Sequence, residues 1–185
     1  VDEEVKGTLR GTAYHRFFEI LNYDCCKDYN SIEEYLKTSV AAGKISEEYA
    51  GLINLKRFEE FLQTDLGKRM GSAYKKGLLF REQPFIMELG ADMIDKEYPS
   101  DEKILVQGIV DAFFFEDDKV YIVDYKTDRV EQGKAGEKAL TERYHKQLEL
   151  YADTISRVTG KETGGCYIYS TCLKKEILIE SPSYT

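Results

Sequence analysis

Three residues at the ends of apolar segments have the types and spacing to support chemistry. Asp124 and Lys126 follow the apolar run 120–123, and Asp111 is the isolated acid in the segment 108–112. In a strand, alternate side chains share one face, so Asp124 and Lys126 project side by side. If the two segments pair as a hairpin, both acids can hold a hard cation such as Mg²⁺, which takes oxygen ligands and retains waters for phosphate groups. Lys126 could then orient or deprotonate an attacking water, although this spacing is also typical of the solvated face of an edge strand.

The composition predicts one soluble globular domain. The chain has 185 residues, of which 42% are hydrophobic and 32% charged, enough for a single domain with a substantial core. No apolar run approaches the roughly 18 residues of a membrane-spanning helix. The first residues also lack the basic start and apolar middle of a signal peptide. We therefore expect a cytoplasmic protein with no membrane partner.

The formal net charge of −8 is unfavourable for a nucleic-acid-binding protein, because phosphate contacts usually come from clustered Lys and Arg. Between residues 56 and 76, however, six basic residues stand against three acids. This stretch could form a local basic surface, and an ordinary solvated helix face is an equal alternative. If the chain does act on nucleic acid, its acidity implies that another domain or subunit delivers the substrate.

The four cysteines, Cys25, Cys26, Cys166 and Cys172, include an adjacent pair and no CxxC motif. This spacing suggests neither a disulfide framework nor a zinc site. An iron–sulfur cluster would require all four thiolates to converge, which the spacing permits but does not favour. We expect reduced, partly buried cysteines.

Residues 1–77 are predicted to be mainly helical. Apolar residues at helical spacing, together with start and stop signals, predict helices over 11–21, from Asn30 to Gly43, from Ser46 over a short stretch, and over 55–62. Asp65 is a candidate N-cap for the segment that leads to Gly71 or Gly77.

Residues 78–180 are predicted to be rich in strands, and 181–185 to be a tail. The predicted elements are strands over 78–89, 104–115 and 119–126, a long helix over about 136–158, and strands over 166–171 and 176–180. This order predicts a mixed α/β fold, in which the long helix covers one face of a central mixed sheet and the N-terminal helices cover the other.

Four separated segments, 11–15, 108–112, 124–128 and 147–151, together resemble the RecB-like nuclease family, a branch of the PD-(D/E)XK phosphodiesterase superfamily. The sequence Arg-Glu-Gln-Pro-Phe at 81–85 sharpens the resemblance. With this segment included, the chain is similar to the C-terminal nuclease domain of the A subunit of AddAB-type bacterial helicase-nucleases. The resemblance runs from about residue 6 to 179, and implies a single nuclease domain over 1–185 with a restriction-endonuclease-like core.

The resemblance implies a metal site with a catalytic lysine. His15, Asp111 and Asp124 would be metal ligands, the main-chain carbonyl of Tyr125 a further ligand, and Lys126 the catalytic lysine. The implied cofactor is Mg²⁺, and Mn²⁺ would also suit a site that contains an imidazole. A lone histidine on an amphipathic helix is otherwise more often a packing residue.

The resemblance also implies supporting residues around this site. Gln147 and Tyr151, four residues apart on one helix face, would contact the metal ligands or the DNA, although Tyr151 also fits the apolar stripe of the helix. Glu82 could add a carboxylate, and in a regular strand its neighbours would face away from it; it could equally be an exposed residue or a partner for Arg81. Asp128 is expected to be a turn or supporting residue.

As a function, the resemblance implies a metal-dependent DNA exonuclease domain of a bacterial helicase-nuclease that acts in double-strand break processing and recombinational repair. Its partners would be DNA, delivered as a single strand by a helicase motor, the remainder of the helicase subunit, and a partner nuclease subunit. Cys166 and Cys172 lack the third companion found in iron–sulfur relatives, which implies a cluster-free domain. The alternatives are a non-catalytic module for DNA binding or subunit assembly, and a free-standing RecB-like exonuclease.

Overall fold

The computed structural model describes residues 2–90, 99 and 101–179, except for the side chains of residues 2–5 and 89. The predicted tail, 181–185, and the end of the last predicted strand at residue 180 lie outside the described residues. Residues 98 and 100 of the predicted turn at 98–101 also lie outside them. Within the described part of the chain, no helix is long and apolar enough to cross a membrane.

The N-terminal part is helical, as predicted. Its helices are α1 (Asp2–Ile20), α2 (Tyr29–Ala41), α3 (Glu47–Leu52), α4 (Leu55–Gln63) and α5 (Asp65–Lys75). The start predicted for the first helix at residue 11 was wrong, because α1 begins nine residues earlier. The N-cap prediction was also wrong: the Thr64 side chain accepts the Gly67 N–H, and Asp65 is the first residue of α5. Thr64 and Asp65 are adjacent, and both residue types are favoured at the N-cap, so the sequence alone does not distinguish between them.

The described residues from 79 onwards form a five-stranded sheet and one long helix. The elements are β1 (Leu79–Gly90), β2 (Lys103–Glu116), β3 (Lys119–Lys126), α6 (Lys134–Thr159), β4 (Thr163–Ser170) and β5 (Lys175–Ile179). The strands lie in sequence order across the sheet. Only β3 and β4 pair in parallel, because α6 connects them as a crossover, and the other neighbours are antiparallel. The predicted mixed α/β fold is therefore confirmed.

Two apolar cores cover the two faces of the sheet. On one face, the N-terminal helices pack against the sheet in a cluster that includes Phe18, Phe61 and Tyr125. On the other face, α6 packs through Leu148 and its apolar neighbours against Ile122. The result is the predicted order of layers, helices on both sides of a central sheet.

The pairing of β1 and β2 contains an irregularity that bears on function. Glu82 has a positive φ of 48° and lies opposite Asp111 in the register set by their neighbours. Val110 packs in the core beneath α6, whereas Ala112 packs in the core beneath the N-terminal helices. A regular strand would place residues 110 and 112 on one face. The alternation is therefore broken at Glu82 and Asp111, and the regular strand considered for this segment is not what forms.

Candidate metal centre

Three potential metal ligands converge where α1 meets the first two strands. His15 on α1, Glu82 on β1 and Asp111 on β2 each offer a ligand atom, and these atoms lie within 4.8 Å of one another. His15 Nδ1 is 3.3 Å from Asp111 Oδ1. All three side chains are partly buried. The structure therefore brings together two of the predicted ligands, His15 and Asp111, with the carboxylate that sequence suggested as an addition.

Asp111 is held in place by the end of the β2–β3 ladder. The last regular pair of that ladder is Ala112 and Val123, so Asp111 follows directly where the two strands separate. Its Oδ2 accepts a hydrogen bond of 2.8 Å from the main-chain N–H of Tyr125. One carboxylate oxygen is thus fixed by β3, while the other faces His15. This arrangement orients Asp111 before any ion is bound.

Asp124 lies beside this group but not within it. Its side chain is buried, and Oδ2 is 2.7 Å from the Nζ atom of Lys126. No hydrogen bond to Oδ2 is formed among the described residues, so the charge of this oxygen is compensated by the ion pair with Lys126. The structure therefore pairs Asp124 with Lys126 and does not include it in the cluster of three ligands.

The Nζ atom of Lys126 lies among an acid, an amide oxygen and an aromatic ring. Besides Asp124, its Nζ lies 3.4 Å from Gln147 Oε1 and 3.9 Å from the centre of the Tyr144 ring. Gln147 in turn donates a 3.0 Å hydrogen bond to the Tyr151 hydroxyl. The two α6 residues predicted to support the site thus reach Lys126 as a connected pair.

Tyr151 packs in the core and also contacts Gln147, so its supporting role in the site stays a prediction. It is buried, and its ring meets that of Phe85 edge to face at 5.5 Å, which makes it part of the core beneath α6. Burial, followed by the charge of Asp124, raises the pKa of its hydroxyl to about 12. The hydroxyl therefore stays protonated at neutral pH and can act only as a neutral hydrogen-bonding group.

Tyr144 is a site residue that sequence reasoning missed. Its spacing from Leu140 and Leu148 is that of the apolar stripe of the long helix, yet its ring covers Lys126. Its hydroxyl donates a 2.8 Å hydrogen bond to Asp128 Oδ1, which also accepts one of 2.6 Å from Arg143. A signal was present, since Tyr144 lies three residues before Gln147 and therefore on the same side of the helix.

Tyr125 connects the candidate site to the N-terminal core. Its ring stacks on Phe18 with the ring centres 3.9 Å apart and the planes 3° apart. Phe18 belongs to α1, three residues after His15, so this stack fixes the helix that carries the histidine against β3. The proposed role of the Tyr125 main-chain carbonyl as a metal ligand stays a prediction.

The electrostatics of the cluster suit a cation. Burial, followed by the charges of Asp111 and Glu19, raises the pKa of Glu82. Burial of the His15 ring opposes its charged form, but the hydrogen bond and charge of Asp111 outweigh that effect and raise its pKa. The two cluster carboxylates thus repel each other, and Glu82 holds its proton more tightly than an exposed glutamate does. Two carboxylates and an imidazole are a donor set that fits a hard or borderline divalent ion such as Mg²⁺ or Mn²⁺.

A cleft leads to the cluster from solvent. It has a volume of about 340 Å³ and is lined by His15 and Glu82 of the cluster together with Arg16, Glu19 and Lys44, among others. Arg16 is ion-paired with Glu19 on the same helix, and its Nε donates a hydrogen bond to the carbonyl of Lys44. A metal ion and a substrate could therefore both reach the cluster from solvent through this cleft.

Comparison with known proteins assigns the family. The model of the PD-(D/E)XK nuclease superfamily matches residues 1–182. The chain belongs to the PD-(D/E)XK nuclease superfamily. Asp124, Tyr125 and Lys126 fit the (D/E)XK part of that name, and Asp111 fits the preceding acid. The resemblance stated from the sequence is thus confirmed.

Curated relatives are large ATP-dependent helicase/nuclease subunits of the A type. The relative from Clostridium perfringens (strain SM101 / Type A) is 35% identical over 182 residues, covering 96% of this chain and 14% of that protein. The relative from Thermoanaerobacter sp. (strain X514) is 38% identical over 163 residues, 86% of this chain and 13% of that protein. The relative from Listeria monocytogenes serotype 4a (strain HCC23) is 32% identical over 170 residues, which cover 90% of this chain and 14% of that protein.

This PD-(D/E)XK chain therefore spans about 14% of the length of the relatives it matches. Among solved structures, the crystal structure of SSO0001 matches with a TM-score of 0.39 and 15% sequence identity. The match covers 83% of this chain and 62% of that chain, and the similarity is too weak to define the fold. The four cysteines are free thiols, with Cys26 and Cys166 in the cores on opposite faces of the sheet. The absence of an iron–sulfur cluster stays a prediction.

Proposed function

We propose that this chain is a divalent-metal-dependent deoxyribonuclease domain that hydrolyses phosphodiester bonds. The observation that carries the proposal is the convergence of His15, Glu82 and Asp111 within 4.8 Å, beside the buried pair of Asp124 and Lys126. Membership of the PD-(D/E)XK nuclease superfamily supports the same chemistry. The cluster supplies ligands, and the pair supplies a carboxylate and an ammonium next to them.

Each residue has a definable task in this proposal. His15, Glu82 and Asp111 would hold the ion, with Asp124 and the carbonyl of Tyr125 as the other proposed ligands. A bound Mg²⁺ or Mn²⁺ supplies Lewis acidity, which lowers the pKa of a water and neutralises charge on the phosphate.

Lys126 stays near the reacting phosphate because Asp124, Gln147 and Tyr144 surround its ammonium. There it orients the attacking water by a hydrogen bond or stabilises the negative charge that grows on the phosphate. Gln147 is itself fixed by the Tyr151 hydroxyl, so the lysine has little freedom to leave this position. The chain's own contribution is thus largely the prior orientation of charged groups.

The proposed biological setting follows from the relatives. The matched proteins are named as ATP-dependent helicase/nuclease subunits, and this chain corresponds to about 14% of their length. We infer that the domain is the exonuclease part of such a protein, and that it degrades a single DNA strand delivered by a helicase motor. The motor would belong to the remainder of the same polypeptide, with a partner nuclease subunit beside it. The proposed setting is double-strand break processing and recombinational repair in the bacterial cytoplasm.

A different candidate is a non-catalytic nuclease fold used for DNA binding or subunit assembly, and the net charge of −8 favours the assembly role. Such a module would bind DNA or a partner without cleaving. In that case no function would account for Asp111, Asp124 and Lys126 together. Their burial and the repulsion between the two carboxylates carry a cost in stability. The two candidates differ in one observable, the release of nucleotides or fragments from DNA.

The test is cleavage of end-labelled single-stranded DNA in Mg²⁺ or Mn²⁺. We expect the parent to cleave, EDTA to abolish cleavage, and Asp124→Ala and Lys126→Ala each to lower the rate by roughly 100-fold or more. Lys119→Ala is the matched control, because Lys119 begins the same strand and pairs only with Glu162 at the surface. Equal activity in the parent and both site variants would refute the proposal, as would a parent that binds DNA and leaves it intact.

A further inference from the structure

A second, larger groove lies beside the candidate metal centre. It has a volume of about 880 Å³ and is formed by the N-terminal half of α1, the segment that follows β3, and one residue of α3. The residues that line it are Lys6, Gly7, Thr8, Arg10, Gly11, Leu52, Thr127, Asp128 and Arg129. None of them belongs to the proposed ligand set.

Two glycines shape this groove. Gly7 and Gly11 lie four residues apart and therefore on one face of α1. A Cβ atom at Gly7 would meet nothing within 4 Å, so the floor of the groove is open there. A Cβ atom at Gly11 would lie 3.2 Å from Thr127 Oγ1, so the segment after β3 lies close to α1 at this position. The two positions without side chains thus leave room on this face of the helix.

The groove is positively charged in a protein that is negative as a whole. Lys6, Arg10 and Arg129 line it, against one acid, Asp128. The carboxylate of Asp128 already accepts hydrogen bonds from Arg143 and Tyr144, so its charge is compensated within the structure. Among the described residues, neither Arg10 nor Arg129 forms an ion pair. The local surplus of positive charge favours an anionic ligand.

The position of the groove links it to the metal centre. Gly11 lies one helical turn before His15, and Thr127 directly follows Lys126. Lys6 is nine residues before His15, which is about 14 Å along the helix axis at 1.5 Å per residue. A DNA strand presents one phosphate for about every 3.4 Å of helix axis, so this length spans several phosphates.

We propose that this groove binds the sugar–phosphate backbone of a single DNA strand next to the phosphate that is cut. The inference rests on the proposed nuclease function and extends it, because it assigns the strand a direction of approach and names the residues that hold it. Arg10 and Arg129 contact phosphate oxygens, and the hydroxyls of Thr8 and Thr127 lie on the same surface. None of the described lining residues is aromatic, so no base stacks in the groove and binding is independent of base sequence.

The test is binding of fluorescently labelled single-stranded DNA to the whole chain in EDTA, measured by anisotropy over a series of salt concentrations. The double variant Arg10→Ala/Arg129→Ala should bind roughly tenfold more weakly, and its salt dependence should lose about 1.4 units of slope, or 0.7 for each lost phosphate contact. The control is Arg157→Ala/Lys37→Ala, which removes the same charge from exposed positions outside the groove. Its slope should equal that of the parent.

A second pair of variants tests the groove without removing any of its contacts. Gly7→Glu and Gly7→Gln place side chains of equal size on the open floor, and only the first adds a negative charge. We expect Gly7→Glu to bind DNA several-fold more weakly than Gly7→Gln. Circular dichroism of both variants confirms that α1 is retained.

The outcomes separate this inference from the nuclease proposal. If the parent cleaves DNA while the arginine and Gly7 variants bind and cleave like their controls, the groove assignment is wrong and the nuclease proposal stands. If the groove variants lose binding but the parent does not cleave in metal, the groove is correct and the nuclease proposal fails. Loss of binding that differs strongly between oligo-dT and mixed sequences would overturn the claim of backbone recognition, and a parent without salt-dependent binding would overturn the assignment altogether.

Discussion

The metal-free protein should be more stable when Asp124 is replaced by Asn. Asp124 is only 3% exposed, and its Oδ2 lacks a hydrogen-bond donor among the described residues. Burial, followed by the charge of Asp111, raises its pKa from 3.8 to about 7, although Lys126 acts in the opposite direction. The folded chain thus holds this proton more tightly than the unfolded chain does. Stability is therefore lost as pH rises from about 4 to about 7, and at pH 8 the ionised carboxylate opposes folding.

The size of the effect follows from the same shift. A rise of about three pKa units corresponds to roughly 4 kcal/mol at 1.36 kcal/mol per unit, which is an upper limit. The attraction between Asp124 and Lys126 is already contained in this shift, and the cost of burying the Asn amide in place of a protonated carboxyl offsets part of the gain. We expect a net increase of about 1–2 kcal/mol in the free energy of unfolding at pH 8. For a chain of this length, this is an increase in Tm of roughly 2–8 °C.

Thermal and urea unfolding in EDTA at pH 8 and pH 5 measure this change. The advantage of Asp124→Asn should shrink at pH 5, where the parent's Asp124 is protonated. Asp117→Asn, at an exposed turn residue, is the matched control and should leave stability unchanged at both pH values. Addition of Mn²⁺ at 100 times its Kd should stabilise the parent by about 2.7 kcal/mol and reverse the order of the two proteins.

Two results would refute this reasoning at different points. If Asp124→Asn is less stable than the parent in EDTA at pH 8, the buried carboxylate is not a source of instability and the pairing with Lys126 outweighs its burial. If Asp124→Asn gains stability but Mn²⁺ stabilises both proteins equally, the carboxylate is destabilising but is not a metal ligand. The first result concerns the fold and the second the site.

Two further predictions concern packing and catalysis. Gly67→Ala should lower the free energy of unfolding by about 1–3 kcal/mol, because its Cβ would lie 2.1 Å from the Phe61 carbonyl oxygen, whereas Gly51→Ala, with nothing within 4 Å, should be neutral or slightly stabilising in urea unfolding. Tyr144→Leu should lower the DNA cleavage rate roughly 2- to 30-fold with little change in KM, because it removes the ring over Lys126, whereas Tyr144→Phe should keep most of the rate. Equal rates for the two Tyr144 variants would mean that the ring does not position the lysine.

Much of the fold could be predicted from local patterns. The bounds of β3, residues 119–126, were predicted correctly because an apolar run follows the acidic turn residues 117–118. The long helix was found because its apolar residues recur at helical spacing from 140 to 158 and Gly160 follows, whose φ is +67°. The first nine residues of α1 were missed, since a glycine and several polar residues give that half of the helix no periodic signal. Its helical form depends on continuity with the packed half.

The site was less accessible to sequence reasoning, because its geometry depends on contacts between distant segments. Asp111 and His15 were named from the family pattern, and their separation of 96 residues leaves no local trace of the 3.3 Å contact. The cluster position of Glu82 depends on a positive φ in a strand, which nothing in the sequence Arg-Glu-Gln-Pro-Phe predicts. The direction in which the Asp124 side chain points, towards Lys126, likewise depends on the residues packed around it.

The structure explains why the candidate site lies where the sheet is irregular. The β2–β3 ladder ends at Ala112 and Val123, which would leave the N–H of Tyr125 without a partner. Asp111 provides that partner with one oxygen, so the strands can separate without loss of a hydrogen bond. Its other oxygen is thereby directed into the gap. A regular pair of strands would have no room for a cation at this point.

Net charge was a poor guide to where this protein could meet DNA. In the basic stretch at 56–76, both arginines are compensated, because Arg57 is paired with Glu60 and Arg69 with Glu116. Positive charge instead accumulates where α1 and the segment after β3 approach each other, next to a cluster of acids. That proximity is physically reasonable, since acids are needed to hold a cation and bases are needed to hold the adjacent phosphates. A whole-chain charge of −8 averages over both and describes neither.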